Sequence, residues 1–132
     1  MAVDGWVPVD PLTLQTDYPD VFAIGDVTSV GTPKAGVFAE GQASVVAEAI
    51  IARIDSVGTA RTYDGNGVCY VEFGHRRVAR VDVTFAGGQP PYGQFDTATE
   101  AISAEKEEYG ASRLRRWLGA EYSTEPARTV GR

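Results

Sequence analysis

Val21-Phe22-Ala23-Ile24-Gly25-Asp26 is the stretch on which the reading of this chain turns. Four apolar residues closed by Gly-Asp, with Pro19 just ahead, have the length and flanks of a fully buried strand. Thr28, Ser29, Gly31, Thr32, Pro33 and Lys34 then read as a loop. After it, residues 37–54 place Phe38, Val45, Val46, Ala49, Ile50 and Ile54 near helical spacing, which predicts a core helix. Glu40 in its first turns and Arg53 in its last both suit the helix dipole. Strand, loop and helix in that order form an α/β unit, and open α/β sheets bind ligands beyond the carboxyl ends of their strands, where Asp26 falls. An ionised carboxylate only accepts hydrogen bonds, so Asp26 suits a sugar or polyol hydroxyl and repels a phosphate. Gly25 lets a ligand approach the backbone, and a ribityl or ribose hydroxyl fits the pair.

Upstream, Trp6-Val7-Pro8-Val9-Asp10 is short and extended. Downstream, residues 55–67 are polar and turn-rich and read as a linker. Residues 68–73 then alternate Cys69, Val71 and Phe73 against Val68, Tyr70 and Glu72. Residues 77–85 alternate Ala79, Val81, Val83 and Phe85 against Arg80, Asp82 and Thr84, so Gly74-His75-Arg76 joins two strands as a hairpin, with His75 a solvated turn residue. Gly87-Gly88 and Pro90-Pro91 are expected to end the sheet. Ala98, Ala101, Ile102, Tyr109, Leu114, Trp117 and Leu118 predict a helix over residues 97–118, interrupted at Gly110. The chain after Gly119 is expected to fray. The fold class is therefore mixed α/β: a strand and helix, then a small antiparallel sheet and a C-terminal helix.

The 132 residues carry 18 acidic against 12 basic side chains, a net charge of −6. That balance argues against a nucleic-acid binder, which needs a clustered basic face. No run approaches the roughly 18 apolar residues that span a bilayer, and residues 1–10 have neither the basic nor the apolar region of a leader, so the chain reads as cytoplasmic. With 17 Ala and 16 Val against 4 Leu and 5 Ile, the core is built from short side chains, and each buried position contributes modestly. The single cysteine, Cys69, cannot make an intrachain disulfide, so any redox role needs a thiol from elsewhere. No metal site is expected.

The segments 6–16 and 21–26, with Pro33-Lys34-Ala35-Gly36-Val37-Phe38-Ala39-Glu40-Gly41-Gln42-Ala43, resemble the C-terminal part of FAD-dependent pyridine nucleotide-disulfide oxidoreductases. Gly67-Val68-Cys69-Tyr70-Val71-Glu72-Phe73-Gly74, Glu105-Lys106 and Arg115-Arg116-Trp117-Leu118-Gly119 make it most similar to the sulfide:quinone oxidoreductase and flavocytochrome c sulfide dehydrogenase branch. The resemblance covers roughly residues 5–119. It implies that residues 1–55 are the end of a Rossmann-like FAD-binding domain, 56–67 a linker, 68–122 a β-plus-helix domain serving redox chemistry, dimerisation or quinone, and 123–132 a frayed tail. Gly25 and Asp26 would hold the FAD ribityl chain, while Lys34, Ala35 and Gly36 would lie beside the isoalloxazine, where helix N–H groups and a cation favour negative charge. Cys69 would be one half of a redox pair that takes sulfur from sulfide and passes electrons to the flavin and on to a quinone.

Plainer readings stand beside these. Asp26 is otherwise a helix or turn cap, Lys34 a solvated loop lysine and Cys69 a small buried hydrophobe. The glycine-rich pyrophosphate turn of such flavoproteins is missing, since Gly65-Asn66-Gly67 has Tyr70 where a third glycine belongs. The chain is therefore expected to be a C-terminal fragment, with Met1 an added start, inactive and holding little FAD alone. Its main partner would be the rest of the parent chain. An alternative parent is a type II NADH:quinone reductase-like flavoprotein with a structural Cys69, and a non-enzymatic alternative is a dimerisation module forming a homodimer. Arg113, Arg115 and Arg116 beside Leu114, Trp117 and Leu118 fit either a helix at a membrane surface, the parent then being peripheral at the cytoplasmic membrane, or a helix packed on the sheet. Glu105, Glu107 and Glu108 favour the packed helix.

Overall fold

A computed structural model of the chain describes residues 2–56, 58, 61–85 and 89–119. Gly87, Gly88 and the tail 123–132 lie outside the described residues. A short 3-10 turn (Gly25–Val27) leads to α1 (Gly36–Asp55), followed by β1 (Asn66–Glu72), β2 (Val78–Thr84), β3 (Tyr92–Phe95) and α2 (Glu100–Leu118). The strands form one sheet in the order β1-β2-β3. The fold is mixed α/β, as the alternation and helical spacing imply. Two compact units are present, one of Met1–Cys69 with Arg80–Asp96 and the other of Tyr70–Ala79 with Thr97–Arg132.

In the first unit α1 buries Phe38, Gln42, Val45 and Val46, the i, i+4, i+7, i+8 stripe of an amphipathic helix. It stops at Ser56, which takes the left-handed conformation and donates its N–H to the Ala52 carbonyl. Leu14, Val30, Val45, Val46 and Tyr63 form the core, with Val9 and Phe22 packed against it. The Phe38 ring meets Phe85 edge-on at 5.6 Å. It also packs against Gly67, where a Cβ would come within 2.5 Å of the ring, so only glycine fits. Tyr63, from the turn-rich stretch ahead of β1, is buried and donates its backbone N–H to the Leu12 carbonyl at 2.8 Å.

Three expectations are corrected in this unit. Ile50 and Ile54 are 42% and 76% exposed rather than in the core. At 100° per residue they lie roughly 90–130° round the helix from the centre of the Phe38–Val45 stripe, too far to share its face. The run 21–24 is extended but not a fully buried strand: Phe22 bridges Gln15, Ala23 N–H donates to Leu14, and Val21 and Ile24 remain 38% and 36% exposed. Burial of a strand needs neighbours on both edges, and the described backbone bonds of this run go to residues 14–16 on one side and, from Val21 N–H, to the local turn carbonyl of Tyr18. Finally, the sheet does not end at Pro90-Pro91. Tyr92 to Phe95 pair antiparallel with β2, in the register Val81↔Phe95 and Thr84↔Tyr92. The prolines stand just before an edge strand, where a missing N–H costs no ladder bond.

In the second unit the hairpin closes as expected. Phe73 N–H donates to the Arg77 carbonyl and Arg77 N–H to the Gly74 carbonyl, both at 2.9 Å, through an exposed turn with His75 and Arg76 at positive φ. Val78, Ala79, Ser103 and Ala111 are its buried residues. Thr99 exchanges two backbone hydrogen bonds with Val78, and its hydroxyl caps α2 by accepting from Ile102 N–H at 3.2 Å. The helix runs through Gly110 without a break, a correction to the expected interruption: one glycine costs about 1 kcal/mol, less than this cap and the surrounding contacts supply. The Tyr70 hydroxyl donates to Glu105 at 2.8 Å, its ring meets Tyr109, and Arg113 stacks on Tyr109.

Candidate functional site

The chain enters the candidate site in extended conformation at Ile24 and turns sharply at Gly25, whose φ of +76° disfavours any side chain. The Gly25 N–H donates to Gln42 Oε1 at 2.6 Å. Its carbonyl accepts from the Thr28 hydroxyl at 2.9 Å. Thr28 is fully buried and bridges in parallel to Val7. The turn is thus tied to α1 on one side and to the N-terminal extended segment on the other.

Asp26 projects from this turn, exposed, and its carboxylate meets no hydrogen-bond donor or cation among the described residues. It caps nothing. The residue before the 3-10 turn is Ile24 and the residue before α1 is Ala35, neither giving a side-chain cap. An exposed, acceptor-only group on a fixed backbone is free to receive hydroxyl donors.

Lys34 is exposed but anchored. Its ammonium donates to the Thr28 carbonyl at 2.7 Å and lies 4.2 Å from the centre of the Trp6 ring. Ala35 is extended, with φ −149° and ψ 148°, and starts α1 by accepting from Phe38 and Ala39 N–H groups. Gly36 opens the helix in free space, and no acidic residue occupies the first turn. The positive end of the α1 dipole therefore has no carboxylate of its own to offset it.

Gln42 and Thr32 escaped the sequence reading. Gln42 is 1% exposed, with its amide oxygen on Gly25 N–H and its amide nitrogen donating to the Thr32 hydroxyl at 3.3 Å. The signal was a lone amide among Phe38, Val45 and Val46 on a buried stripe, a position that needs partners. The Tyr63 hydroxyl is buried beside them without a hydrogen bond of good geometry. Burial pushes its pKa up, and the neighbouring Gln42 and Thr32 side chains oppose that rise.

Cys69 stands apart on β1, and no described hydrogen bond joins it to this junction. It is exposed, which corrects the reading of a small buried hydrophobe, and Val71 and Phe73 are 40% and 59% exposed at the alternate positions after it. At the far end of the chain Trp117 and Leu118 are also exposed, while Arg115 pairs with Glu108 along α2. No described helix is long and apolar enough to cross a membrane. A separate hollow of about 240 Å³ flanks the second half of α1, with Phe22, Val45, Arg53 and Arg61 in its lining. Both guanidiniums are engaged there, Arg53 by Asp20 and Arg61 by Glu48.

No family model matches the chain. It is 30% identical over 100 residues to the mitochondrial sulfide:quinone oxidoreductase of Mus musculus, a match covering 75% of this chain and 22% of that protein. The chain thus spans less than a quarter of that relative's length, and its relation to the sulfide:quinone oxidoreductases is a distant one.

Proposed function

We propose that the chain is part of an FAD-dependent oxidoreductase of the sulfide:quinone type and supplies the ribityl and isoalloxazine side of its flavin site. One observation carries this reading: an exposed carboxylate without a partner among the described residues, Asp26, on a turn whose backbone is tied down by buried side chains. The distant relation to a sulfide:quinone oxidoreductase supports it. The residues fit the group. Asp26 accepts from ribityl hydroxyls, Gly25 allows close approach, and the N-terminus of α1 with Lys34 favours negative charge nearby. FAD, when bound, takes two electrons from the sulfur chemistry and returns them toward quinone. Cys69, an accessible sulfur, would form a disulfide with a second cysteine from outside this sequence; sulfide opens that disulfide, its sulfur bonding to Cys69 as a persulfide while the S–S bond breaks and the second cysteine leaves as a thiolate.

The test is Asp26→Ala in the complete flavoprotein. Removing the acceptor leaves ribityl hydroxyls unpaired at a cost of about 1–3 kcal/mol, so FAD binds about 5–150-fold more weakly. The apoprotein's unfolding midpoint stays put, because the carboxylate bonds to none of the described residues. Flavin content equal to wild type after dialysis would refute the assignment.

A further inference from the structure

We infer that Gln42 is the positioning residue of this site: it sets the Gly25 turn, and so the placement of Asp26, for the flavin. The inference rests on the ribityl reading above. Glycine moves between left- and right-handed backbone conformations at little cost, so the +76° φ of Gly25 needs an external tether. Gln42 provides one. An N–H can only donate, so Gly25 fixes which end of the amide faces it, and the other end is left to donate to Thr32. One side chain on a rigid helix therefore holds both the start and the far part of the loop 25–34.

The chemistry of the position supports a role beyond packing. A buried amide is costly unless both ends are bonded, and methionine, of equal length, would fill the same stripe without that demand. Lys34 and Thr28 hold the middle of the loop through the Thr28 and Gly25 carbonyls, and the Gly25 N–H is left to Gln42. With Gln42 gone, the turn keeps its carbonyl contacts but loses the bond that fixes the peptide entering Gly25. Asp26, one residue on, would then sample several directions, and the flavin would have to order it on binding.

The experiment uses the complete flavoprotein and reads FAD binding rather than turnover. Gln42→Met should weaken FAD binding about tenfold in a titration of the apoprotein and alter the visible circular dichroism of the bound flavin. In an Asp26→Ala background the same change should shift the Kd by less than about twofold, since the turn then has no carboxylate to place. An unchanged Kd for Gln42→Met, or a tenfold loss repeated in full on top of Asp26→Ala, overturns the inference. Should Gln42→Met fail to fold, Thr32→Val removes one of the two anchors with little change of shape. About threefold weaker binding, again absent in the Asp26→Ala background, supports the inference, and wild-type affinity overturns it. Wild-type affinity in Asp26→Ala alone sinks the ribityl reading and this inference with it, whereas a loss there with none in Gln42→Met sinks the inference only.

Discussion

In the loop 25–34 the backbone is held at its start and in the middle, Gln42 binding the Gly25 N–H, Thr28 the Gly25 carbonyl and Lys34 the Thr28 carbonyl, and the far part is held through the Thr32 hydroxyl. The stretch of β1 from Cys69 is held by strand pairing, and it shows Cys69, then Val71, to solvent. The contrast matches two different demands. A ligand held by several hydrogen bonds gains most from groups ordered in advance, because ordering them on binding subtracts from affinity. A reacting thiol needs access and a partner sulfur more than it needs fixing. Changes in the loop region should therefore appear in binding and stability, and a change at Cys69 in turnover.

The largest effect is expected at Cys69. In the complete protein Cys69→Ser should take sulfide oxidation to background, because serine forms neither a persulfide nor a disulfide. Flavin content and unfolding free energy should stay within about 0.5 kcal/mol of wild type, as for other exposed positions. Sulfide turnover that survives the change would make Cys69 incidental and favour an NADH-oxidising relative. Next comes Phe38→Ala, in the buried stripe of α1. It empties a site 2% exposed, between Gly67 and Phe85, and should lower unfolding free energy by about 3–5 kcal/mol in urea denaturation. Lys34→Met is expected to do less. Losing a bond to Thr28 and a stack on the 44%-exposed Trp6 should cost roughly 1 kcal/mol, read as faster amide exchange in the loop.

Much of this contrast was legible in the sequence, for physical reasons that differ by element. The helical spacing of Phe38, Val45 and Val46 located α1 within a residue at each end, and Gly74-His75-Arg76 located the hairpin. The Gly25-Asp26 pair and the Pro33–Gly36 stretch marked the junction because turn chemistry is local. Periodicity could not tell that Ile50 and Ile54 lie outside the buried stripe, since apolar spacing does not reveal the width of the surface a helix faces. Tyr92 to Phe95 are exposed at every position, so no alternation announces β3. Gln42 was hidden for another reason: its partners, Gly25 and Thr32, are 17 and 10 residues away, and no local pattern predicts such a bond.

The smallest expected effect lies at Asp10, at the far margin of the tied-down region. Its carboxylate accepts from the Thr13 N–H at 2.7 Å, the Thr13 hydroxyl at 3.0 Å and the Leu12 N–H at 3.0 Å. This turn sends Leu14, fully buried with φ +62°, into the core and sets residues 14–16 beside the run that ends at Gly25. The Thr13 N–H, then its hydroxyl, holds the exposed Asp10 below the ordinary aspartate pKa, against a slight desolvation and with help from the Leu12 N–H. A lowered folded-state pKa means that the unfolded chain binds the proton more readily. The stabilisation is thus complete above the unfolded value of about 3.9 and is lost as pH falls through the folded one. Asp10→Ala should accordingly be less stable than wild type at pH 6, with the difference shrinking toward pH 2, as followed by urea denaturation at both pH values. An Asp10 carboxyl titrating by NMR at or above the ordinary value would mean that the turn is not held in solution, and the approach to Gly25 would then be looser than the loop it feeds.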